Sequence, residues 1–209
     1  MKTAATVDVV LFDLGGVLVD LGGLPELEIF AGGGVSEDEL WRRWLSCPWV
    51  RRFERGHCDA DAFSRGMVDS WSMTVAPEEF LEAFADWPRG LLPGARELVR
   101  SIRAVARVGC LSNTNSLHAD RHWSHFGIAD LFDDQFLSHE MGLLKPDRDV
   151  FEYVVDTLGC PPERILFLDD NQINVDGARA AGLRSERTQG ITEAEAILSA
   201  IGLSTDRAV

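Results

Sequence analysis

The sequence predicts an α/β fold in which a mostly parallel sheet is covered by helices on both faces. Several short apolar runs have the length and β-branched content of buried strands, and segments with helical spacing of apolar residues separate them. A parallel strand follows another only after a long crossover, which is usually a helix, so this alternation indicates a parallel sheet. A purely helical stretch after the first strand indicates an inserted helical domain.

The first predicted strand, residues 9–12, is followed directly by a carboxylate and a tight turn. Its residues VVLF are all apolar, and Asp13 comes next, at the end of the strand where open α/β sheets bind their ligands. Gly15 and Gly16 predict a turn whose backbone N–H groups can approach an anion. Asp13 is therefore the residue around which we expect a site to be built.

Residues 21–88 contain several helix signals and no convincing strand. Ser36 begins a capping box before one helix, and Pro48 ends or kinks that helix. Asp59 is a cap for a second helix, and Pro77 opens a third. The apolar stripes of these helices are aromatic, and the stretch holds five of the six tryptophans, which indicates a helical core of its own.

This change from alternating strand and helix signals to helix signals alone predicts two structural units. Residues 21–89 are interpreted as a helical cap, and residues 1–20 together with 90–209 as the α/β core. Within the core, strands are predicted at residues 106–111, 135–138, 165–168 and 184–187. Helices are predicted at residues 93–103 and 116–126, and a third from a cap at Asp147 to Gly159. A fourth follows Asp169–Asp170 and ends at Gly182, and the last begins with a capping box at Thr192.

Composition and charge exclude several classes of partner. The chain has 209 residues, 45% of them hydrophobic, and a formal net charge of −14. Nucleic acid and anionic membrane surfaces would repel so acidic a protein, and a phosphate site would need local cations or a metal. The four cysteines show no C-x-x-C spacing, and no apolar run approaches the ~20 residues of a membrane span. We expect a soluble, cytoplasmic protein with reduced thiols.

Polar side chains follow three of the predicted strands, at ends that meet along one edge of a parallel sheet: Asp13, Ser112, Asn113, Asp169 and Asp170. Lys145 precedes a proline in a nearby loop segment. Carboxylates crowded together favour a cation, and Mg²⁺ prefers oxygen ligands. A carboxylate can accept a phosphoryl group, while lysine and hydroxyl groups bind its other oxygens. The pattern suits phosphoryl transfer to water.

Four motifs resemble those of the haloacid dehalogenase-like hydrolase superfamily, in order and spacing: FDLGGVLVD, LSNTN, GLLKP and FLDDNQINVDGA. The resemblance spans residues 9–182 and is greatest to the helical-cap branch that includes bacterial α-D-glucose-1-phosphate phosphatases. Proteins of that branch have a glycine at the position of Gly15 and a Leu-His pair at the position of Leu117–His118. The ERG segment of residues 54–56 also resembles their helical cap. The resemblance implies a Rossmann-like three-layer core with a helical cap, and a Mg²⁺-dependent phosphatase acting on a small phosphorylated metabolite, such as a sugar phosphate.

The resemblance also implies a role for each matching metal-site residue. Asp13 would be the nucleophile, carrying an aspartyl-phosphate, and a ligand of Mg²⁺. The carbonyl of Gly15 would be a second protein ligand, and Asp170 a third. Asp169 would orient the ligands or their waters.

Three further matches concern the phosphoryl group. Ser112 and Asn113 would contact this group or the substrate. Lys145 would bridge Asp13 and the phosphoryl group.

One position departs from the pattern of the superfamily. Most of its phosphatases carry a second aspartate two residues after the nucleophile, where it acts as general acid and base, and here that residue is Gly15. General acid–base help is worth ~10²–10⁴-fold, so the departure lowers the expected rate without abolishing the reaction. Asp20 or a metal-bound water are the candidate substitutes, and an anomeric phosphate, a good leaving group, needs the least help.

Two other functions stay open from the sequence. A metal-independent 2-haloacid dehalogenase also lacks the second aspartate, but Asp169 and Asp170 would then leave an unneutralised carboxylate cluster facing Asp13. A non-catalytic protein that binds a phosphometabolite is made possible by Gly15. A phosphosugar mutase is disfavoured because it needs the missing acid–base aspartate.

Two groups of cationic or titratable residues have less specific interpretations. The arginines Arg51, Arg52 and Arg55 would either reach a phosphate from the cap or form a solvated helix face, and the solvated face is favoured. The histidines His118, His122 and His125 are expected to form a surface cluster.

Overall fold

The computed structural model describes residues 6–203; the first five and last six residues of the predicted core lie outside this range. Its strands are β1 (Val9–Phe12), β2 (Val19–Leu21), β3 (Pro88–Leu91), β4 (Arg107–Ser112), β5 (Asp134–Leu137), β6 (Ile165–Asp169) and β7 (Arg184–Arg187).

The helices of the first half are α1 (Leu24–Phe30), α2 (Glu37–Ser46), α3 (Pro48–Glu54), α4 (Ala60–Trp71) and α5 (Pro77–Ala85). Those of the second half are α6 (Ala95–Arg103), α7 (Ser116–Ser124), α8 (Ser138–Met141), α9 (Arg148–Leu158), α10 (Gln172–Ala180) and α11 (Gly190–Ala200). Two short 3₁₀ helices lie at Ala129–Leu131 and Pro162–Arg164.

The central sheet has five parallel strands in the order β5-β4-β1-β6-β7. The middle strand β1 pairs with β4 and β6, so that Phe12 lies beside Cys110 on one side and Leu168 on the other. The chain builds the sheet outward from β1 to β5 and then returns to place β6 on the opposite side. Open α/β sheets bind ligands where their strand order reverses in this way, outside the carboxyl ends of the strands.

Helices cover both faces of this sheet and make three layers. One face packs against α6 and α11, through a cluster that includes Val10, Phe12, Leu98, Val99, Ile102, Ala194 and Leu198. The other face packs against α9 and α10, through Val9, Leu11, Val150, Phe151, Val154, Phe167 and Ala178. Neighbouring residues of β1 point to opposite faces, so this one strand contributes to both clusters. The predicted α/β class with a mostly parallel sheet is confirmed.

A separate aromatic core holds the helices α1 to α5 together. Its buried residues run from Leu27 to Trp87. Phe63, which is fully buried, lies at its centre: its ring stacks on Phe53 with centroids 4.4 Å apart and lies 5.1 Å from the ring of Phe84. Aromatic rings at helical spacing thus form a hydrophobic core, as their pattern predicts.

A two-stranded antiparallel ribbon joins the two cores. Strand β2 leaves the α/β core and β3 returns to it, with Asp20 opposite Gly90. The predicted boundaries at residues 20 and 90 fall within this ribbon. The sequence does not predict β3, because its residues PRGL include two that are poor strand formers.

The predicted helix starts in the cap are confirmed. The Ser36 hydroxyl accepts a hydrogen bond from the Glu39 N–H, and the Asp59 carboxylate accepts one from the Ala62 N–H. Pro48 separates α2 from α3. These contacts satisfy backbone donors that a helix leaves free in its first turn.

Two predicted caps in the core are wrong. Helix α11 begins at Gly190 rather than after Thr192, because the Glu193 carboxylate reaches back to accept from the Gln189 N–H. Asp147 lies before α9, but its side chain makes no cap bond. Its carboxylate instead accepts hydrogen bonds from Arg51 and Arg55, so charge pairing across the two cores outweighs local capping.

The expected surface cluster of histidines is also wrong. His118 and His122 are buried, and only His125 of the three is exposed. The His118 ring bonds the Phe84 carbonyl at 2.7 Å. Burial lowers the pKa of both buried histidines to about 4, so both rings are neutral, and the His118 ring joins α7 to α5.

The structure bears on two further expectations from composition. Within residues 6–203, no helix combines the length and apolar character needed to span a membrane. All four cysteines carry free thiols, with Cys47 and Cys110 buried and Cys58 and Cys160 partly buried.

Truncating the central ring of the cap tests how far the aromatic core stabilises the protein. We expect Phe63→Ala to lower the free energy of unfolding by about 3–5 kcal/mol, because it removes a fully buried ring and leaves a cavity. Ile29→Ala, on the exposed face of α1, is the control and should change it by no more than about 0.5 kcal/mol. Chemical denaturation measures both, and equal losses would contradict the assignment of Phe63 to the cap core.

Candidate active site

The carboxyl ends of β1 and β6 bring three carboxylates together. Asp13 follows β1, Asp169 ends β6 and Asp170 follows it. One oxygen from each lies within 4.8 Å of the others. The backbone holds the two strand ends in register, since the Asp13 N–H donates to the Leu168 carbonyl at 2.8 Å. The parallel sheet thus produces the predicted convergence of Asp13, Asp169 and Asp170.

A buried lysine bridges two of these carboxylates. The Lys145 side chain is 1% exposed, and its Nζ lies 3.0 Å from Oδ1 of Asp13 and 2.6 Å from Oδ2 of Asp169. The same Nζ lies 5.1 Å from the centre of the Phe167 ring, a cation–π contact. Lysine is almost never so buried unless its charge is paired, so this geometry identifies Lys145 as part of the site.

Asn113 fixes the backbone that carries Lys145. Its side-chain Nδ2 donates to the Lys145 carbonyl at 3.0 Å, and its Oδ1 accepts from the Lys145 N–H at 2.9 Å. The predicted role of Asn113 was contact with a phosphoryl group or substrate. Both polar atoms of its amide therefore bond the Lys145 backbone, and its contact with a phosphoryl group or substrate stays a prediction. The neighbouring Ser112, the last residue of β4, is 4% exposed.

Asp169 is surrounded by hydrogen-bond donors. It is fully buried, and besides Lys145 it accepts from the Asn171 N–H at 2.8 Å and from Nδ2 of Asn174 at 3.1 Å. This arrangement fits the predicted orienting role. Asn174, in the first turn of α10, was not identified from the sequence, although the motif DDNQIN places it one helical turn after the N-cap residue Asn171.

Gly16 leaves the space that Asp170 occupies. Its φ is +70°, and a Cβ added there would lie 2.2 Å from Oδ2 of Asp170. The Gly16 carbonyl also accepts from the Gly190 N–H at 2.8 Å, which ties the turn to the start of α11. Gly16 is therefore required both by backbone conformation and by the close approach of Asp170.

Gly15 offers no carboxylate and faces an apolar side chain. A Cβ added there would lie 3.1 Å from a methyl group of Leu21. Asp20, the sequence candidate for the missing acid and base, is exposed on β2. The predicted contribution of the Gly15 carbonyl to a metal stays a prediction.

The electrostatics of the cluster favour a divalent cation. Three carboxylates against one ammonium give a formal charge of −2. Burial raises the pKa of Asp13 well above its ordinary value; Lys145 opposes this rise, while Asp169 and Asp170 add to it. Burial, followed by repulsion from Asp169, raises the pKa of Asp170 to about 6.

The pKa of Lys145 is also raised, and for a lysine this favours the charged form. Burial by itself would lower the pKa of Lys145, but the charges of Asp13 and Asp169 outweigh burial and raise it. Lys145 is therefore a permanent cation that compensates only part of the negative charge. Carboxylate oxygens this close, with repulsion left over, suit a hard divalent cation such as Mg²⁺.

The cap reaches this edge of the sheet through α3. Arg51 and Arg55 both donate to Oδ2 of Asp147, at 2.6 and 2.5 Å, two residues after Lys145. The solvated face favoured for the three arginines holds for Arg52, which is exposed, but not for Arg51 and Arg55, which pair with a core carboxylate; their contact with a phosphate stays a prediction. A cleft of about 430 Å³ opens beside this pair and is lined in part by Arg42, Pro146 and Asp147.

A substitution at Gly16 tests whether the cluster binds a cation. Gly16→Ala should remove the rise in thermal unfolding midpoint that Mg²⁺ gives the wild type, because its Cβ would displace Asp170. Gly127→Ala is the matched control: its φ is +57° with nothing within 4 Å, so it carries the same backbone cost of about 1–2 kcal/mol and should keep the Mg²⁺ effect. An unchanged Mg²⁺ effect in Gly16→Ala would contradict the site.

Comparison with known proteins identifies the family and its relatives. The haloacid dehalogenase-like hydrolase family matches residues 7–182. A D-ribitol-5-phosphate phosphatase from Bacteroides thetaiotaomicron is 24% identical over 183 residues, 84% of this chain and 89% of that protein. An (S)-2-haloacid dehalogenase from Pseudomonas sp. (strain YL) is 30% identical over 195 residues, 83% of this chain and 78% of that protein.

A solved structure shares the fold. A HAD-family enzyme from Bacteroides thetaiotaomicron, described as a complex with magnesium and inorganic phosphate, superposes with a TM-score of 0.70 at 24% identity, over 88% of this chain and 94% of that one. The family match covers most of the chain, including Asp13, Ser112, Lys145 and Asp170. The chain belongs to the haloacid dehalogenase-like hydrolase family.

Proposed function

We propose that this hydrolase is a Mg²⁺-dependent phosphatase that acts on a small phosphorylated metabolite through an aspartyl-phosphate on Asp13. The observation that carries the proposal is the buried Lys145, held between the strand-end Asp13 and Asp169 in a cluster that retains a formal charge of −2. A ribitol-phosphate phosphatase among the relatives, and magnesium with phosphate in a structural neighbour, support it.

Asp13 is assigned as the nucleophile. One of its oxygens attacks phosphorus, the ester bond to the leaving group breaks, and water then hydrolyses the resulting acyl phosphate. Lys145 donates to Oδ1 of Asp13 at 3.0 Å and so favours its ionised form, which is the form able to attack. Lys145 and Ser112 are assigned to the phosphoryl oxygens, and Asn113 acts through the Lys145 backbone.

The carboxylates of Asp13 and Asp170 and the carbonyl of Gly15 are assigned as the protein ligands of Mg²⁺. When bound, the ion neutralises phosphoryl charge and orients the group. Asp169 serves the site indirectly, by holding Lys145 at 2.6 Å. We also assign residues 21–89 to a helical cap over a catalytic core formed by residues 1–20 and 90–209.

A sugar phosphate such as glucose-1-phosphate is the proposed class of substrate. The motif resemblance to glucose-1-phosphate phosphatases supports it, and so does the sugar-alcohol phosphate named for one relative.

Dehalogenation of a 2-haloacid is the second candidate. A relative at 30% identity, covered over 78% of its length, carries that activity in its name, and the lack of an acid at Gly15 is compatible with it. Against it stands the cluster of Asp13, Asp169 and Asp170, because a reaction without metal would leave their repulsion uncompensated.

One assay separates the two functions. Wild-type protein should release phosphate from glucose-1-phosphate or another member of a sugar and nucleotide phosphate panel with Mg²⁺, and EDTA should abolish this release. Asp13→Asn should lower turnover by at least ~10³-fold, because it removes the nucleophile. Phosphate release and halide release from 2-chloropropionate are measured side by side.

The control for Asp13→Asn is Asp156→Asn, the same change at an exposed site on α9, which should retain wild-type activity. Phosphate release at the wild-type rate by Asp13→Asn would exclude the proposed mechanism. Halide release in EDTA without any phosphate release would establish the dehalogenase instead.

A further inference from the structure

The segment that carries Lys145 connects β5 to α9 and consists of residues 138–147, with α8 at its start. Its last four residues form a tight turn, because the Asp147 N–H donates to the Leu144 carbonyl at 2.9 Å. Lys145 and Asp147 therefore belong to one hydrogen-bonded turn. A displacement of Asp147 would displace Lys145 with it.

The core holds this segment from one side. The Asn113 side chain bonds the N–H and the carbonyl of Lys145, at 2.9 and 3.0 Å. At the start of the segment, the buried Ser138 hydroxyl donates to the Thr114 carbonyl and accepts from the Thr114 N–H, both at 2.9 Å. Both contacts come from the end of β4 and the loop after it.

The cap holds the same segment from the other side. Arg51 of α3 and Arg55, the residue after α3, both donate to Oδ2 of Asp147, at 2.6 and 2.5 Å. At the start of the segment, Gly56 packs so closely on α8 that an added Cβ would lie 2.5 Å from the His139 carbonyl oxygen. A short stretch of the cap thus contacts the segment both before and after the catalytic lysine.

The contact at Asp147 is an unequal ion pair in a partly buried place. Two guanidinium groups meet one carboxylate, and the three side chains are between 27% and 34% exposed. Salt screens partly buried charges much less than charges on an open surface. The Asp147 side chain makes no capping bond to α9, so its pairing with the cap takes the place of a local hydrogen bond.

We propose that Arg51 and Arg55 are positioning residues for the reaction: through Asp147 they fix the turn that presents Lys145 to Asp13 and Asp169. We call Arg51, Arg55 and Asp147 the arginine clamp. The inference rests on the proposed phosphatase function for the role of Lys145, and it adds that the docked cap controls the placement of this lysine.

A clamp of this kind acts on the chemical step. The Lys145 ammonium lies 3.0 Å from Oδ1 of Asp13, the assigned nucleophile, and a misplacement of about 1 Å can cost ~10²-fold in rate. Losing the clamp should therefore lower kcat. Arginines that bound the substrate directly and equally in its ground and transition states would instead change KM.

Hydrogen exchange followed by NMR tests the clamp without any substrate. The amide protons of Lys145 and Asp147 are bonded to Oδ1 of Asn113 and to the Leu144 carbonyl, so their exchange reports on the order of the turn. In Arg51→Gln/Arg55→Gln we expect both amides to exchange at least ~10-fold faster than in the wild type. The amides of β1, which report on global unfolding, should keep their wild-type rates.

Steady-state kinetics with p-nitrophenyl phosphate and Mg²⁺ give a second readout. Arg51→Gln/Arg55→Gln and Asp147→Asn should each lower kcat by at least ~10-fold and change KM by less than ~3-fold. The variant that combines all three changes should lose no more than either alone, because each already breaks the same ion pair.

Arg65→Gln is the matched control. Arg65 lies on α4 of the cap and pairs with Asp61 of the same helix at 2.9 Å, with both side chains exposed. Its loss removes an arginine–aspartate pair of the cap that does not reach the core. This variant should keep the kcat, the KM and the exchange rates of the wild type.

The outcomes separate the clamp from the proposed function. Wild-type exchange at Lys145 and Asp147 in Arg51→Gln/Arg55→Gln would overturn the clamp, and so would an equal acceleration of the β1 amides. A raised KM with kcat unchanged, or losses that add in the combined variant, would overturn it as well. A wild type inactive on every phosphate would overturn the proposed function, and the exchange rates would still decide whether the clamp holds Lys145.

Discussion

The ion pair of Lys145 with Asp13 and Asp169 is the interaction on which the site depends. A buried lysine is stable only while its partners remain, and removing one partner of a buried pair costs about 3–5 kcal/mol. Three separate parts of the chain therefore have to meet: the ends of β1 and β6, and the loop that Asn113 holds in place. The parallel sheet supplies the first two by register, and β4 supplies the third.

The same loop couples the catalytic edge to the cap. Asp147 lies two residues beyond Lys145 and binds Arg51 of α3 and Arg55, the residue after α3, so the contacts that anchor the cap begin beside the buried ammonium. The turn at Gly15 and Gly16 gives room for Asp170 but offers no carboxylate at position 15.

Much of this could be predicted from the sequence, because it depends on local patterns. The runs of β1 and β6, the caps at Ser36 and Asp59 and the convergence of strand-end carboxylates all follow from residue type and spacing. Asp147 and His118 could not be interpreted in that way, because each depends on how the cap docks on the core. Asp147 has the position of a helix cap, yet arginines about 90 residues earlier take its charge. Propensity and spacing describe single elements, whereas docking is decided by charge and shape complementarity between distant ones.

In the proposed mechanism, Asp13 and Asp170 hold Mg²⁺ while Asp13 accepts a phosphoryl group beside Lys145. A crystal structure with Mg²⁺ and beryllium fluoride, a mimic of the phosphoryl group, tests it most directly. We expect the fluoride adduct on an oxygen of Asp13, its fluorines near Lys145 and Ser112, and Mg²⁺ on Asp13, Asp170 and the Gly15 carbonyl. An adduct elsewhere, or a metal bound away from Asp13 and Asp170 under these conditions, would contradict it.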